Sequence, residues 1–230
     1  MLTEVITVSF LGGIICLDRN CIQVMISRPL VVAPIIGLVL GDPYTGLIAG
    51  ALMELFWSDR LPIGTYIPPN DSLVSVLIVS SAILVSRAVD DDVRGLLALS
   101  VLLYVPMGKV TQIVDTLIIK ANDKLSENAL AKAGQGDIAG AARQHVMAIA
   151  RSLCCNFLII MVSLGSGVVF MVWAYPFLPQ SAIHALNLIY FFLPLIGVAV
   201  AMNTIRFDGI IPVFCTVYMI FMILLELISE

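Results

Sequence analysis

Between Arg28 and Asp71, apolar stretches are interrupted every few residues by groups that break helices or carry charge. The run contains Arg28-Pro29-Leu30, Gly41-Asp42-Pro43, Gly46, Gly50 and Glu54. It ends in Ile63-Gly64-Thr65-Tyr66-Ile67-Pro68-Pro69-Asn70-Asp71. Apolar segments 5–17, 29–40, 44–57 and 73–85 are each roughly 12 to 15 residues long, short of the ~20 needed to cross a bilayer as a helix. Hydrocarbon offers no hydrogen-bond partners, so interrupted backbone persists there only when buried in protein or lining a polar cavity. A passive anchor gains nothing from such breaks. A transporter uses them to bring backbone dipoles and polar side chains to a solute.

The rest of the chain places this run in a membrane. Hydrophobic residues make up 60% of the 230 and charged residues 12%, with mean hydropathy +1.05. Soluble domains are about half apolar and about a quarter charged. Segments 153–175, 185–205 and 210–225 are long and apolar. Segment 96–119 is also long but holds Pro106, Gly108 and Lys109, which predicts one kinked span or a hairpin. The fold class is therefore all-α: a polytopic integral membrane protein with several spans and broken or re-entrant helices. Met1 to Glu4 lack a basic region, so the first apolar segment is expected to be retained.

Three regions follow: 1–119, with short Gly/Pro-broken helices and the candidate site; 120–151, a polar connector; and 152–230, with three long apolar segments. The connector carries Lys120, Lys124, Lys132, Arg143 and Arg151, which predicts a cytoplasmic location, with 176–184 outside. Helix is expected on both sides of Gly134-Gln135-Gly136. The connector reads as a solvated link or as a docking surface for a soluble partner.

Glu54 is the strongest candidate for chemistry. It sits in Gly50-Ala51-Leu52-Met53-Glu54-Leu55-Phe56-Trp57, with no cation within one helical turn. A carboxylate at membrane depth costs a few kcal/mol unless it faces a polar cavity or a partner. Asn70 and Asp71 follow Pro68-Pro69 and precede an apolar run, where they suit helix capping and solute contact alike. Asn203, at the end of segment 185–205, completes the candidate set, and Trp57 or Tyr66 offers an apolar face for a ring. Gly37, Gly41, Gly46 and Gly50 suit close helix packing. His145 and His184 read as surface residues. Cys16, Cys21, Cys154, Cys155 and Cys215 show no metal-ligand spacing and read as packing residues. No phosphate loop, nucleotide motif or metal cluster is present, so no catalytic residue, metal or cofactor is expected, and nothing basic enough for nucleic acid stands out.

Arg28-Pro29-Leu30, Gly37, Leu40-Gly41-Asp42, Thr45-Gly46, Gly50, Glu54, Ile63-Gly64 and Pro69-Asn70 resemble the C component of enzyme II in the mannose/sorbose family of the bacterial phosphotransferase system. The match is specific over about 27–73 and continues through Pro194, Gly197 and Asn203. The resemblance implies an inner-membrane permease subunit that binds and translocates a sugar. It implies a hetero-oligomer with a D component, and soluble A and B components that carry phosphate on histidine and phosphorylate the sugar. Glu54 falls on the family's carboxylate after the glycine repeat, Asn70 on its polar position after proline, and Asp18 where some members have an acidic residue. Ser58-Asp59-Arg60 is more charged than the family pattern, and the sequence stops soon after Leu225, where members tend to continue, which implies a compact or divergent member. Two other readings stand beside it: a subunit of a non-phosphorylating transporter, and a degenerate membrane sensor or docking platform.

Overall fold

The computed structural model describes residues 1–60, 64, 66–204 and 209–229. Among them are nine α-helices and one short 3-10 turn. The helices are α1 (Leu2–Leu17), α2 (Pro29–Val39), α3 (Pro43–Phe56), α4 (Asp71–Val89), α5 (Val93–Tyr104), α6 (Met107–Gly134), α7 (Ile138–Ala174), α8 (Gln180–Thr204) and α9 (Ile210–Ser229).

Helix α4 is the hub. It packs against α1, α2, α3, α5, α6 and α7, and its side chains from Ser72 to Val85 are all buried. A helix apolar on every side belongs inside a bundle. Two of its buried serines find partners, Ser75 donating to the Asp71 carbonyl at 2.7 Å and Ser81 to Ser100 of α5 at 3.0 Å, whereas the buried Ser80 hydroxyl has none among the described residues. The segment expected to stop before Arg87 is a 19-residue helix that runs through it. Arg87 is tolerated because its guanidinium reaches Glu4 of α1 at 3.3 Å and donates to the Leu40 carbonyl at the end of α2.

Helices α2 and α3 form a tight antiparallel hairpin. At ~1.5 Å per residue their 11 and 14 residues reach about 16 and 21 Å, short of the ~30 Å hydrocarbon core. The tip turns on Gly41 at φ +79°, a left-handed conformation that glycine adopts freely. Asp42 then caps α3 by accepting the Thr45 N–H at 3.0 Å, with Pro43 as the first helical residue. The glycine repeat sits at the contact: a Cβ on Gly46 would lie 2.5 Å from the Ala33 carbonyl oxygen, and one on Gly50 2.6 Å from that of Pro29. Backbone therefore packs on backbone, as small residues permit.

Helices α4, α7 (continued to Phe177) and α8 are long and apolar enough to cross a membrane. Helices α5 and α6 together meet the same test and are bent by 47° where Val105 and Pro106 break them. Residues 120–151 form the far part of the α6–α7 hairpin, with helix on both sides of Gly134-Gln135-Gly136.

Candidate functional site

The candidate residues lie where the open end of the α2–α3 hairpin meets the non-helical strap 66–70 that leads into α4. Pro68 and Pro69 hold this strap extended, so its carbonyls cannot join a helical ladder. Arg19, just beyond α1, supplies the missing donors. Its Nη1 donates to the Pro69 carbonyl at 3.0 Å and to Asp71 Oδ1 at 2.9 Å, and its Nη2 donates to the Pro68 carbonyl at 3.2 Å. Asp71 is thus ion-paired, and its Oδ1 also accepts the Ser72 N–H.

Asn70 is 2% exposed and caps α4: its Oδ1 accepts the Leu73 N–H at 3.0 Å. Its Nδ2 donates to Asp115 Oδ2 at 3.2 Å, and its backbone N–H donates to Thr111 Oγ1 at 3.1 Å. Asn70 therefore fastens the strap to α6.

Glu54 has a cation after all, brought by the hairpin. Arg28 Nη1 approaches Glu54 Oε1 at 3.4 Å, and the Leu30 N–H at the start of α2 donates to Oε2 at 3.3 Å. The carboxylate closes the hairpin's open end and meets the positive end of α2. Asn203 lies in α8, and its side chain falls outside the described residues, as do Ile63, Thr65 and Arg206. The structure thus gathers Glu54, Asn70 and Asp71 around one hairpin end and strap.

Two hollows flank the strap. One, of about 130 Å³, is lined by Arg19, Ser27, Arg28, Arg60, Pro68 and Asp71. The other is a more open groove of about 360 Å³ lined by Tyr66, Ile67, Lys109, Gln112 and Thr116. Small-molecule sites run from roughly 300 Å³ upward, so the arginine-lined hollow is smaller than that range and the groove beside Tyr66 falls within it. The connection between α1 and α2 is itself held by Asp18. Its carboxylate accepts the Val24 N–H at 2.8 Å and both the N–H and the hydroxyl of Ser27 at 3.1 Å. Burial pushes the Asp18 carboxyl up, but these donors outweigh it and hold the group below the usual carboxylate range.

Sequence reasoning passed over Arg19, Arg28 and Asp115. Arg19 lies just past the apolar segment 5–17, and Arg28 enters only as part of Arg28-Pro29-Leu30. Asp115 stands alone in Ile113-Val114-Asp115-Thr116-Leu117-Ile118; the same signal, a lone carboxylate in an apolar run, had singled out Glu54.

The chain resembles known membrane transport proteins. It is 37% identical over 81 residues to the putative N-acetylgalactosamine permease IIC component 2 of Escherichia coli K12, a stretch covering 35% of this chain and 59% of that protein. It is 27% identical over 192 residues to the mannose-specific EIIC component of the same strain, covering 81% of this chain and 68% of that protein. Its fold resembles a solved structure described only as a membrane protein, with a TM-score of 0.70, 20% identity and coverage of 100% of this chain and 92% of the other. It also resembles a chain in the structure of the mannose transporter ManYZ with microcin E492, with a TM-score of 0.60, 20% identity and coverage of 95% and 86%. The family EII-Sor, described as the PTS system sorbose-specific IIC component, matches residues 2–228. With the short α2–α3 hairpin, the capped strap and this match over nearly its whole length, the chain belongs to the EII-Sor family of phosphotransferase-system IIC membrane components.

Proposed function

We propose that this chain is the translocating subunit of a mannose/sorbose-type sugar phosphotransferase system in the bacterial inner membrane. It binds a neutral monosaccharide where the α2–α3 hairpin meets the strap before α4. One observation carries the reading: two broken backbone elements meet beside two arginine–carboxylate pairs, Arg19–Asp71 at 2.9 Å and Arg28–Glu54 at 3.4 Å. Sugars present many hydroxyls and no charge, so acceptors such as Glu54 and Asp71 suit them, and donors such as Arg19 and Arg28 complement the hydroxyl oxygens. Asn70 shapes the same surface from behind. Asn203 belongs to the candidate set through its place near the end of α8. Tyr66 beside the wider groove offers a face for the ring.

A D component completes the membrane complex in this reading, and soluble A and B components deliver the phosphoryl group. The relatives named for mannose and N-acetylgalactosamine, and the mannose transporter structure, support a hexose or amino sugar as substrate. The test is uptake and phosphorylation of mannose, sorbose, fructose and N-acetylgalactosamine in cells expressing this chain with the components encoded beside it. Accumulation of one phosphorylated sugar that depends on this chain supports the proposal. Uptake of free sugar without phosphorylation favours a non-phosphorylating transporter instead, and no uptake of any sugar defeats it.

A further inference from the structure

A further hollow lies away from the strap, between α6 and α7. It measures about 370 Å³ and is lined by Asn20, Asp123, Ser126, Gln144 and His145 over an apolar floor that includes Ile118 and Leu125. Its volume falls within the range of small-molecule sites, roughly 300–1,000 Å³. Its seam is built rather than incidental. Asn122 donates to Ser152 Oγ at 3.4 Å, Arg151 donates to Asn122 Oδ1 at 3.3 Å, and Arg151 also donates to the Ala121 carbonyl.

Three features point to a ligand class. Among the described residues, the side chains of Asn20, Asp123, Ser126, Gln144 and His145 make no hydrogen bond within the protein; Gln144 is half-buried and the others are exposed, so amide, carboxylate, hydroxyl and imidazole groups at the rim of one cleft are open to a ligand. The polar rim over an apolar floor matches a pyranose, which has hydroxyls at its edge and C–H groups on its face. Asn20 also directly follows Arg19, which lines the smaller hollow. The segment after α1 thus lines both hollows, at consecutive residues.

We propose that the α6–α7 cleft is a second monosaccharide station, a vestibule that receives the sugar after it leaves the site at the strap. The inference rests on the reading above that the strap site binds sugar. The positive charge of residues 120–151 places the cleft on the cytoplasmic side, between that site and the soluble phosphoryl donor.

The test uses full-length protein, co-expressed with its neighbouring components, in a background with its five cysteines replaced. Ala129→Cys reports on the cleft and Arg60→Cys, at the exposed edge of the smaller hollow, on the strap site. Maleimide modification is timed with and without the transported sugar, chosen from mannose, sorbose, fructose and N-acetylgalactosamine. The proposal requires protection at both positions. It also requires that Asp123→Ala with Gln144→Ala raise the concentration giving half protection at Ala129→Cys about threefold to tenfold, the effect of one or two lost hydrogen bonds. The value at Arg60→Cys should not move. Protection at Arg60→Cys alone, or no effect of the paired substitutions, overturns the vestibule and leaves the strap site standing. Protection at neither position overturns both. In the parent chain, Ala129→Trp fills the cleft and should slow uptake severalfold; parental uptake in that variant also overturns the vestibule.

Discussion

Arg19→Met is the sharpest test of how the strap is held. The guanidinium makes three contacts, to the carbonyls of Pro68 and Pro69 and to Asp71, between 2.9 and 3.2 Å. The side chains of Arg19 and Asp71 are only 22% and 21% exposed, so solvent screens the pair partly. Hydrogen bonds to a charged group contribute about 1.5–3 kcal/mol each, and removing one partner of a buried pair costs about 3–5 kcal/mol. Discounting for exposure, we expect a loss of about 2–4 kcal/mol, borne mostly by the strap and the first turn of α4. Arg19→Lys should recover the interaction with Asp71 but not the two-carbonyl fork, because an ammonium is a point charge. Arg19→Met with Asp71→Asn should cost clearly less than the two single changes added together, since neither charge is then left alone. The assay is thermal unfolding of the purified protein in detergent, with hydrogen exchange read at residues 66–73. Parental melting and parental exchange in Arg19→Met would refute the claim that this side chain holds the strap.

Glu54→Gln keeps the shape but loses charge-assisted hydrogen bonds of about 1.5–3 kcal/mol each, so sugar binding should weaken at least about tenfold with normal membrane insertion. Asn70→Ala should act in the same direction; equilibrium binding that matches the parent for Glu54→Gln makes Glu54 a purely structural clasp of the hairpin. Gly46→Leu should separate α2 from α3 and cost about 1–3 kcal/mol or more, seen as a lower melting temperature, because even a Cβ there lies 2.5 Å from the Ala33 carbonyl oxygen. Single cysteines at Gly136 and Gln180 should label from opposite sides of the membrane, and labelling from one side only defeats the orientation drawn from lysine and arginine. The depressed Asp18 carboxyl stabilises the fold fully above its unfolded pKa of about 4 and loses that contribution as pH falls through the lower folded value. Asp18→Asn should therefore flatten the acid limb of a stability–pH profile measured by thermal unfolding.

Apolar run length, glycine spacing and proline position are local properties, so much of the architecture was legible along the chain. Run length marked the helical membrane class and the long segments now seen as α7 and α8. The Gly41-Asp42-Pro43 turn and the capping role of Asn70 follow from backbone preferences that act within a few residues. The kink at Pro106 follows from a missing N–H. Arginine partners were a different matter, because charges pair across space. Arg19 meets Asp71 over 52 positions, Arg28 meets Glu54 over 26, and Arg87 meets Glu4 over 83. Each pair depends on where helix ends arrive after packing, which no local pattern encodes. For the same reason Arg87 ended a segment on paper yet lies inside α4 in the fold, where α1 and the tip of the α2–α3 hairpin accept its hydrogen bonds. The α6–α7 cleft is tertiary in the same sense: its lining comes from three separate stretches, and only the crossing of the helices makes them one surface.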